Sequence, residues 1–229
     1  LRDTVDSSQT LDKKLYHLGC QSVKRSTFSD ANNKRDYRIY EDLFYNMYER
    51  IQKLAPQYKL DLPAELYIMD STTIDLCLKL HPWAEFRKNK AGIKLHTLLR
   101  GSGLLPEFIY MTEAKTNDTK GARQIPVPED CYLAIDKGYH DFERYNEYNN
   151  KNIRFVTRMK TNAAYQVVES LKIEHPCVLA DEIIEFTGRN TRKKYPHRLR
   201  TITWYDSQRK KRLIFLTNDL QSDAAVIAD

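Results

Sequence analysis

No run of about 18 apolar residues occurs in this sequence, so nothing in it reads as a membrane-spanning helix. The opening residues L-R-D-T-V-D lack the apolar core of a signal peptide, which points to the cytoplasm. Cysteine pairs at metal-ligand spacing are also missing. Cys20, Cys77, Cys131 and Cys177 are far apart, with no CxxC and no histidine at zinc-ligand distance, and they read as buried thiols. Internal repeats and low-complexity linkers are absent, which excludes a solenoid.

What is present is a chain of 229 residues, long enough for one large domain or one domain with an insertion. Lys and Arg number 37 against 31 Asp and Glu, for a formal charge of +6. That excess suits a polyanionic partner, although proteins that bind none often carry as much.

Residues 1 to about 60 read as helical. Leu11, Leu15 and Leu18 recur at helical spacing, and Leu43, Phe44, Met47, Tyr48 and Ile51 form one stripe. Ser29, Asp30, Asn32 and Asn33 read as a polar connector between the two helical stretches. After Pro63 the texture turns to short β-like runs: Leu66 to Met69, then Ile93 to Leu99 and Leu104 to Met111 as a hairpin across Gly101-Ser102-Gly103. Cys131 to Ile135 and Ile153 to Val156 follow, with short helices expected at Thr119 to Gln124 and Phe142 to Tyr148. This order implies a mixed α/β sheet over residues 61 to 160. Residues 161 to 229 read as a β-rich insertion and the start of a return to the core, with strands at Leu199 to Trp204 and Leu213 to Thr217.

Two of the apolar runs end at a carboxylate, Y-I-M-D at Asp70 and L-A-I-D at Asp136. Ligands collect beside strand ends in open α/β sheets, and two carboxylates on adjacent strands suit hard cations such as Mg²⁺ or Mn²⁺. Two such ions about 3.5–4 Å apart activate an attacking oxygen and stabilise a leaving one in phosphodiester displacement. Strand-terminal aspartates are also ordinary turn formers, so the pattern alone leaves both readings open.

The residues in order resemble a known family. The match runs through Y-I-M-D-S-T-T-I-D-L-C (67–77), P-W-A-E-F-R-K-N-K-A-G-I-K-L-H-T-L-L (82–99) and L-P-E-F-I-Y-M-T-E-A-K-T-N-D (105–118). It continues in A-I-D-K-G-Y (134–139), F-V-T-R-M-K (155–160) and F-L-T-N-D (215–219). Together these resemble the DDE transposases of insertion-sequence family four, bacterial mobile-element enzymes. The resemblance implies an RNase H-like core with a helical N-terminal region and a β-rich insertion. It also implies that Asp70 and Asp136 are the first two metal-binding, catalytic carboxylates of a site that takes two Mg²⁺ or Mn²⁺ ions in its complete form. Asp75 lacks the D-S-T context and reads as structural. The family's third carboxylate, a Glu in a Tyr, Arg, Glu, Lys signature, has no match up to Asp229, so the chain as written is expected to be incomplete for activity.

For DNA contact the resemblance singles out Arg158 in F-V-T-R, and Lys160 follows it on the same face. Arg87, Lys88 and Lys90 form a basic cluster, and Lys94 shares a strand face with His96, possible neighbours of the metal site. His96 itself reads as a structural histidine. Arg189, Arg192, Lys193, Lys194, His197, Arg198 and Arg200 make the insertion basic, suited to guiding a DNA end or to protecting a β-edge. Trp83 and Trp204 read as packing residues. The expected function is metal-dependent strand cleavage at element ends, then 3′-OH strand transfer into target DNA. The expected partners are the double-stranded terminal inverted repeats, target DNA and a second copy of the chain in a homodimer, at the bacterial nucleoid. The alternatives are an RNase H-like nuclease without strand joining and a non-catalytic DNA-binding fragment.

Overall fold

The computed structural model describes residues 2–54, 62–77, 79, 82–87 and 90–228, apart from the side chains of Asp12, Leu18, Pro82, Phe86 and Arg87. The chain divides into two compact units, residues 1–55 and 56–229.

The first unit is helical: α1 (Arg2–Thr10), α2 (Asp12–Leu15), α3 (Arg25–Lys34) and α4 (Arg38–Leu54). The polar connector expected at Ser29 to Asn33 lies inside α3 instead. No glycine or proline interrupts residues 25–34, and the Phe28 N–H donates to the Lys24 carbonyl at 3.0 Å to start the helix. Polar side chains suit a turn, but they do not break a helix whose backbone bonds close.

The second unit is an α/β structure built on one sheet. Its elements are β1 (Leu66–Leu76), β2 (Glu85–Arg87), β3 (Lys90–Arg100), β4 (Leu105–Glu113), α5 (Asp118–Ala122), β5 (Tyr132–Ile135), α6 (Phe142–Asn150) and β6 (Arg154–Arg158). There follow β7 (Tyr165–Ser170), β8 (Val178–Phe186), α7 (Arg189–Lys194), β9 (Leu199–Asp206), β10 (Lys211–Thr217) and α8 (Ala224–Ala228). The strand order is β2-β3-β1-β5-β6-β10-β9-β8-β7, with β4 also on β3. β3 is antiparallel to β1 and β4, whereas β1, β5 and β6 run parallel. This is the RNase H-like arrangement: a three-stranded meander followed by two parallel strands, each reached through a helix.

Alternation decides which face is packed. Tyr67 and Met69 of β1, Leu98 of β3, Leu133 and Ile135 of β5 and Phe155 of β6 point to one side and form the main core. On that side α6 lies over β6, with Tyr145 stacked on Phe155 at 4.2 Å between ring centroids. Burial of such rings stabilises the layer by about 1.5–3 kcal/mol each. Asp141 caps α6, accepting from the Glu143 and Arg144 N–H groups, and Arg123 holds it at 2.7 Å. Burial pushes the Asp141 pKa up, yet the Arg123 bonds win and leave it below the usual aspartate value.

β1 runs past Asp70 to Leu76, longer than its apolar residues suggest, because 67–76 pair continuously with β3. The basic stretch 189–194 is a helix, α7, and not a β-edge; Gly188 precedes it as N-cap. Only Cys131 of the four cysteines is buried; Cys20 and Cys77 are exposed and Cys177 half-buried. Trp204 stacks on His175 at 5.1 Å, while Trp83 is 57% exposed.

His140 sits with its ring edge-on to Phe142 and Tyr145. Burial, helped by the Lys160 charge, pushes its pKa down from 6.5 to about 4. The unfolded chain therefore takes up the proton first as pH falls. Stability is full above pH 6.5, declines as pH drops towards about 4, and loses nothing more to this group below that. Allowing for partial exposure, the loss is about 2 kcal/mol. Urea unfolding at the two ends of this window should show it in the wild type, and His140→Phe should be flatter by that amount.

Candidate active site

The parallel register of β1 and β5 sets Ile68 beside Ala134 and Met69 beside Ile135. One step further, Asp70 and Asp136 leave neighbouring strands on the same face, opposite the main core. Both are exposed. Asp70 Oδ1 accepts from the Ser71 N–H at 2.7 Å, and Asp136 Oδ2 caps a short 3₁₀ turn (Lys137–Tyr139), accepting from the Gly138 N–H at 3.1 Å. The second oxygen of each carboxylate has no hydrogen-bond partner among the described residues. A pair of open, hard oxygen donors fits a divalent cation of the Mg²⁺ or Mn²⁺ kind. Among the described residues no group of three or more His, Cys, Asp or Glu is arranged to hold a metal, so these two leave most of a coordination sphere to other ligands.

Both aspartates line a half-open cavity of about 550 Å³ with Ile68, Ala134, Arg158 and Phe215. Arg158 is exposed at the end of β6, paired with Phe215 of β10, so a guanidinium opens onto the same hollow as the carboxylates. Lys160 is also exposed but lies beyond the end of β6, outside the strand alternation expected for it. Lys90 is exposed at the start of β3. Lys88 falls outside the described residues, and Arg87 is described in its backbone alone.

Lys94 behaves differently from a free surface cation. Its side chain is 13% exposed, and Nζ donates to Asp118 Oδ1 at 2.9 Å and to the Thr116 carbonyl at 3.1 Å. Asp118, the first residue of α5, also accepts from the Ser71 hydroxyl at 3.1 Å. Its other oxygen lies against Gly138, where a Cβ would be 3.2 Å from Asp118 Oδ2 and 3.5 Å from Asp136 Oδ2. Sequence reasoning gave Asp118 no role. It stands 48 residues after Asp70 with no spacing signal, and only the β3–β4 hairpin brings it back.

Beneath this cluster Tyr139 and His96 are buried. His96 reaches the Tyr139 hydroxyl through Nδ1 at 3.3 Å and Thr112 Oγ1 through Nε2 at 3.0 Å. Burial draws the His96 pKa down, which favours the neutral ring that such a pair of contacts needs. Burial together with the charges of Asp118, Asp70 and Asp136 pushes the Tyr139 phenol up to about 12. It stays neutral under the acidic cluster.

Gly121 of α5 packs directly on the His96 ring, and a Cβ there would overlap three ring atoms. Alanine would gain about 1 kcal/mol of helix propensity. Overpacking a buried site costs about 1–3 kcal/mol, and displacing His96 would strand its two hydrogen bonds for about as much again. Gly121→Ala should therefore lower stability by about 2 kcal/mol net, read as a drop in thermal midpoint.

Residues 61–229 match the family described as Transposase DDE domain. The protein y4zB of Sinorhizobium fredii, described as a transposase, is 26% identical over 205 residues, covering 87% of this chain and 56% of its own length. A protein of Synechocystis sp., described as a transposase for the insertion sequence IS4SA, is 26% identical over 166 residues, 69% of this chain and 47% of its own. One of Geobacillus stearothermophilus, described for IS5377, is 27% identical over 146 residues, 64% and 38% respectively. The chain thus spans about half the length of these relatives or less. The family match takes in β1 with Asp70, the end of β5 with Asp136 and all that lies between, and this chain belongs to the DDE transposases.

Proposed function

We propose that the chain carries the first part of the active centre of a transposase of insertion-sequence family four, which cleaves DNA strands at the element ends and joins the freed 3′-OH to target DNA. The observation that carries this reading is the parallel register that puts Asp70 and Asp136 on adjacent strands, both facing one hollow with Arg158. Asp70 and Asp136 hold the divalent metal, Mg²⁺ or Mn²⁺. When bound, the ions supply Lewis acidity at a phosphodiester and lower the pKa of the attacking hydroxyl or water. The chain's own residues position: Ser71 and Gly138 N–H groups fix the two carboxylates, and the neutral Tyr139 and His96 brace the turn after Asp136.

Arg158, Lys160 and Lys90 are the phosphate contacts, with Arg87 and Lys88 as further candidates from the same basic cluster. Lys94 acts from within the acidic cluster. On this reading residues 61–160 carry the first part of the catalytic core and 161–229 the insertion and the return to it. The partner is double-stranded DNA, held by a dimer of the protein at the nucleoid. No Tyr, Arg, Glu, Lys signature matches residues 1–229, so the third acidic group is assigned to none of them.

The full-length protein, given Mn²⁺ and a duplex with the element's ends, is expected to yield both nicked and joined products. Nicks without joined product would favour an RNase H-like nuclease. Retained DNA binding without either product would favour a DNA-binding role.

A further inference from the structure

We propose that the Lys94–Asp118 pair is a charge regulator of the Asp70–Asp136 centre, in which Asp118 adds negative potential for a cation and Lys94 holds that potential in check. The inference rests on reading Asp70 and Asp136 as a metal site, and it assigns to Asp118 and Lys94 a positioning and electrostatic task, not ligation.

Asp118 touches both arms of the centre. Its Oδ1 accepts from the hydroxyl of Ser71, the residue whose N–H holds Asp70, and its Oδ2 lies against Gly138, the residue whose N–H holds Asp136. A Cβ at 138 would crowd Asp118 Oδ2 at 3.2 Å and lie in ordinary contact with Asp136 Oδ2 at 3.5 Å, which marks how closely Asp118 and Asp136 approach. Three like charges converging at the top of one buried tyrosine repel each other, and that repulsion is relieved by a cation.

Among the described residues, Lys94 is the cation bonded to this cluster. Lys94 approaches from β3 on the core side of the sheet, 13% exposed, with its ammonium shared between Asp118 and the Thr116 carbonyl. Its stem lies on the strand face that also carries His96 and Leu98, so the charge is fixed in place and not swinging in solvent. A lysine so placed lowers the negative potential felt at Asp70 and Asp136 without covering their open oxygens. It keeps the acidic cluster folded when no metal is bound, and tunes how tightly one is held.

The pair therefore has a signature that separates charge from scaffolding. Asp118→Asn keeps the shape and one acceptor but removes the negative charge. Lys94→Met removes the positive one, and Lys94→Gln does so while still offering a donor to Asp118. If the pair acts by charge, Asp118→Asn weakens Mn²⁺ binding about tenfold, while both Lys94 variants strengthen it several-fold, although all three lower the thermal midpoint. Scaffolding alone would weaken binding in every variant.

The experiment is Mn²⁺ titration by calorimetry or electron paramagnetic resonance on the chain and the three variants, with thermal unfolding of each in parallel. Opposite shifts for Asp118→Asn and Lys94→Gln, with both folded, are the expected result. Shifts in the same direction, or no shift in either, overturn the regulator while leaving the Asp70–Asp136 site standing. Absence of Mn²⁺ binding by the wild type overturns that site, and the regulator with it.

Discussion

Asp70→Asn and Asp136→Asn, introduced singly into the full-length protein, are each expected to reduce strand cleavage by about a thousandfold or more. Metal polarisation of a phosphoryl group contributes several kcal/mol to the transition state, and each 1.36 kcal/mol is a factor of ten, so losing about 4 kcal/mol gives that factor. Asparagine is close in shape and still accepts one hydrogen bond, so the Ser71 and Gly138 N–H contacts survive while the charge does not. Both residues are exposed and contribute little to the core, so the thermal midpoint should hardly move. Activity lost with stability kept is the diagnostic combination, measured by product formation on labelled duplex and by thermal unfolding. Asp75→Asn supplies the control. Asp75 lies further along β1, opposite Gly92, and should retain full activity.

The largest effect on stability is expected at Arg200. Its guanidinium grips Asp181 with two bonds of 2.7 and 2.6 Å, and the two side chains are 5% and 3% exposed. A third bond, of 2.5 Å, goes to the Ser222 carbonyl just before α8. Ser222 and the backbone N–H of Gln221 in turn hold Asp219. Burial pushes the Asp219 pKa up, but these bonds prevail and keep it below the usual aspartate value. Tyr132 and Arg154 complete the network, which clamps the segment between β10 and α8 onto β5, β6 and β9. Arg200→Ala leaves a buried carboxylate unpaired at a cost of about 3–5 kcal/mol. For a unit of this size each kcal/mol moves the midpoint by about 2–4 °C, so a fall of about 10 °C is expected. The double variant Arg200→Met/Asp181→Leu removes both charges and should recover most of it, because the isolated charge, not the missing bond, is what destabilises. A double variant no more stable than Arg200→Ala would contradict this.

Much of this architecture can be read directly from the residues. The hairpin around Gly101 to Gly103, the helix expected at Phe142 to Tyr148 and the apolar runs Cys131 to Ile135 and Ile153 to Val156 correspond to β3–β4, α6, β5 and β6, each to within a few residues. Where reading fell short, pairing across the sheet overrode local composition. Asp70 looks like the end of a strand because the apolar run stops there, yet β3 supplies partners as far as Leu76. The polar run in α3 and the basic run in α7 carry no apolar stripe, and their helical state comes from backbone closure that composition does not announce. Arg200 stands in a basic cluster that reads as a DNA guide or a β-edge, but both faces of β9 are covered from Leu199 to Ile202, and pairing with β8 sets Arg200 against Asp181.

The site divides in the same way. Asp70 and Asp136 stand out because each closes an apolar strand within a family motif. Asp118 and Gly121 do not, and the partner of Lys94 does not either, since these contacts depend on α5 folding back over β3. Lys94 shows the difference most clearly: along the chain it is one more basic residue near a candidate metal site, while in space it is the counter-charge of the acidic cluster.

The most direct test of the central claim is Mn²⁺ binding to residues 1–229 by calorimetry, with the Asp70→Asn/Asp136→Asn double variant as the comparison. Binding by the wild type that disappears in the folded double variant is the predicted result. Equal binding by both, or none by either, would contradict the claim that these two carboxylates form a metal centre.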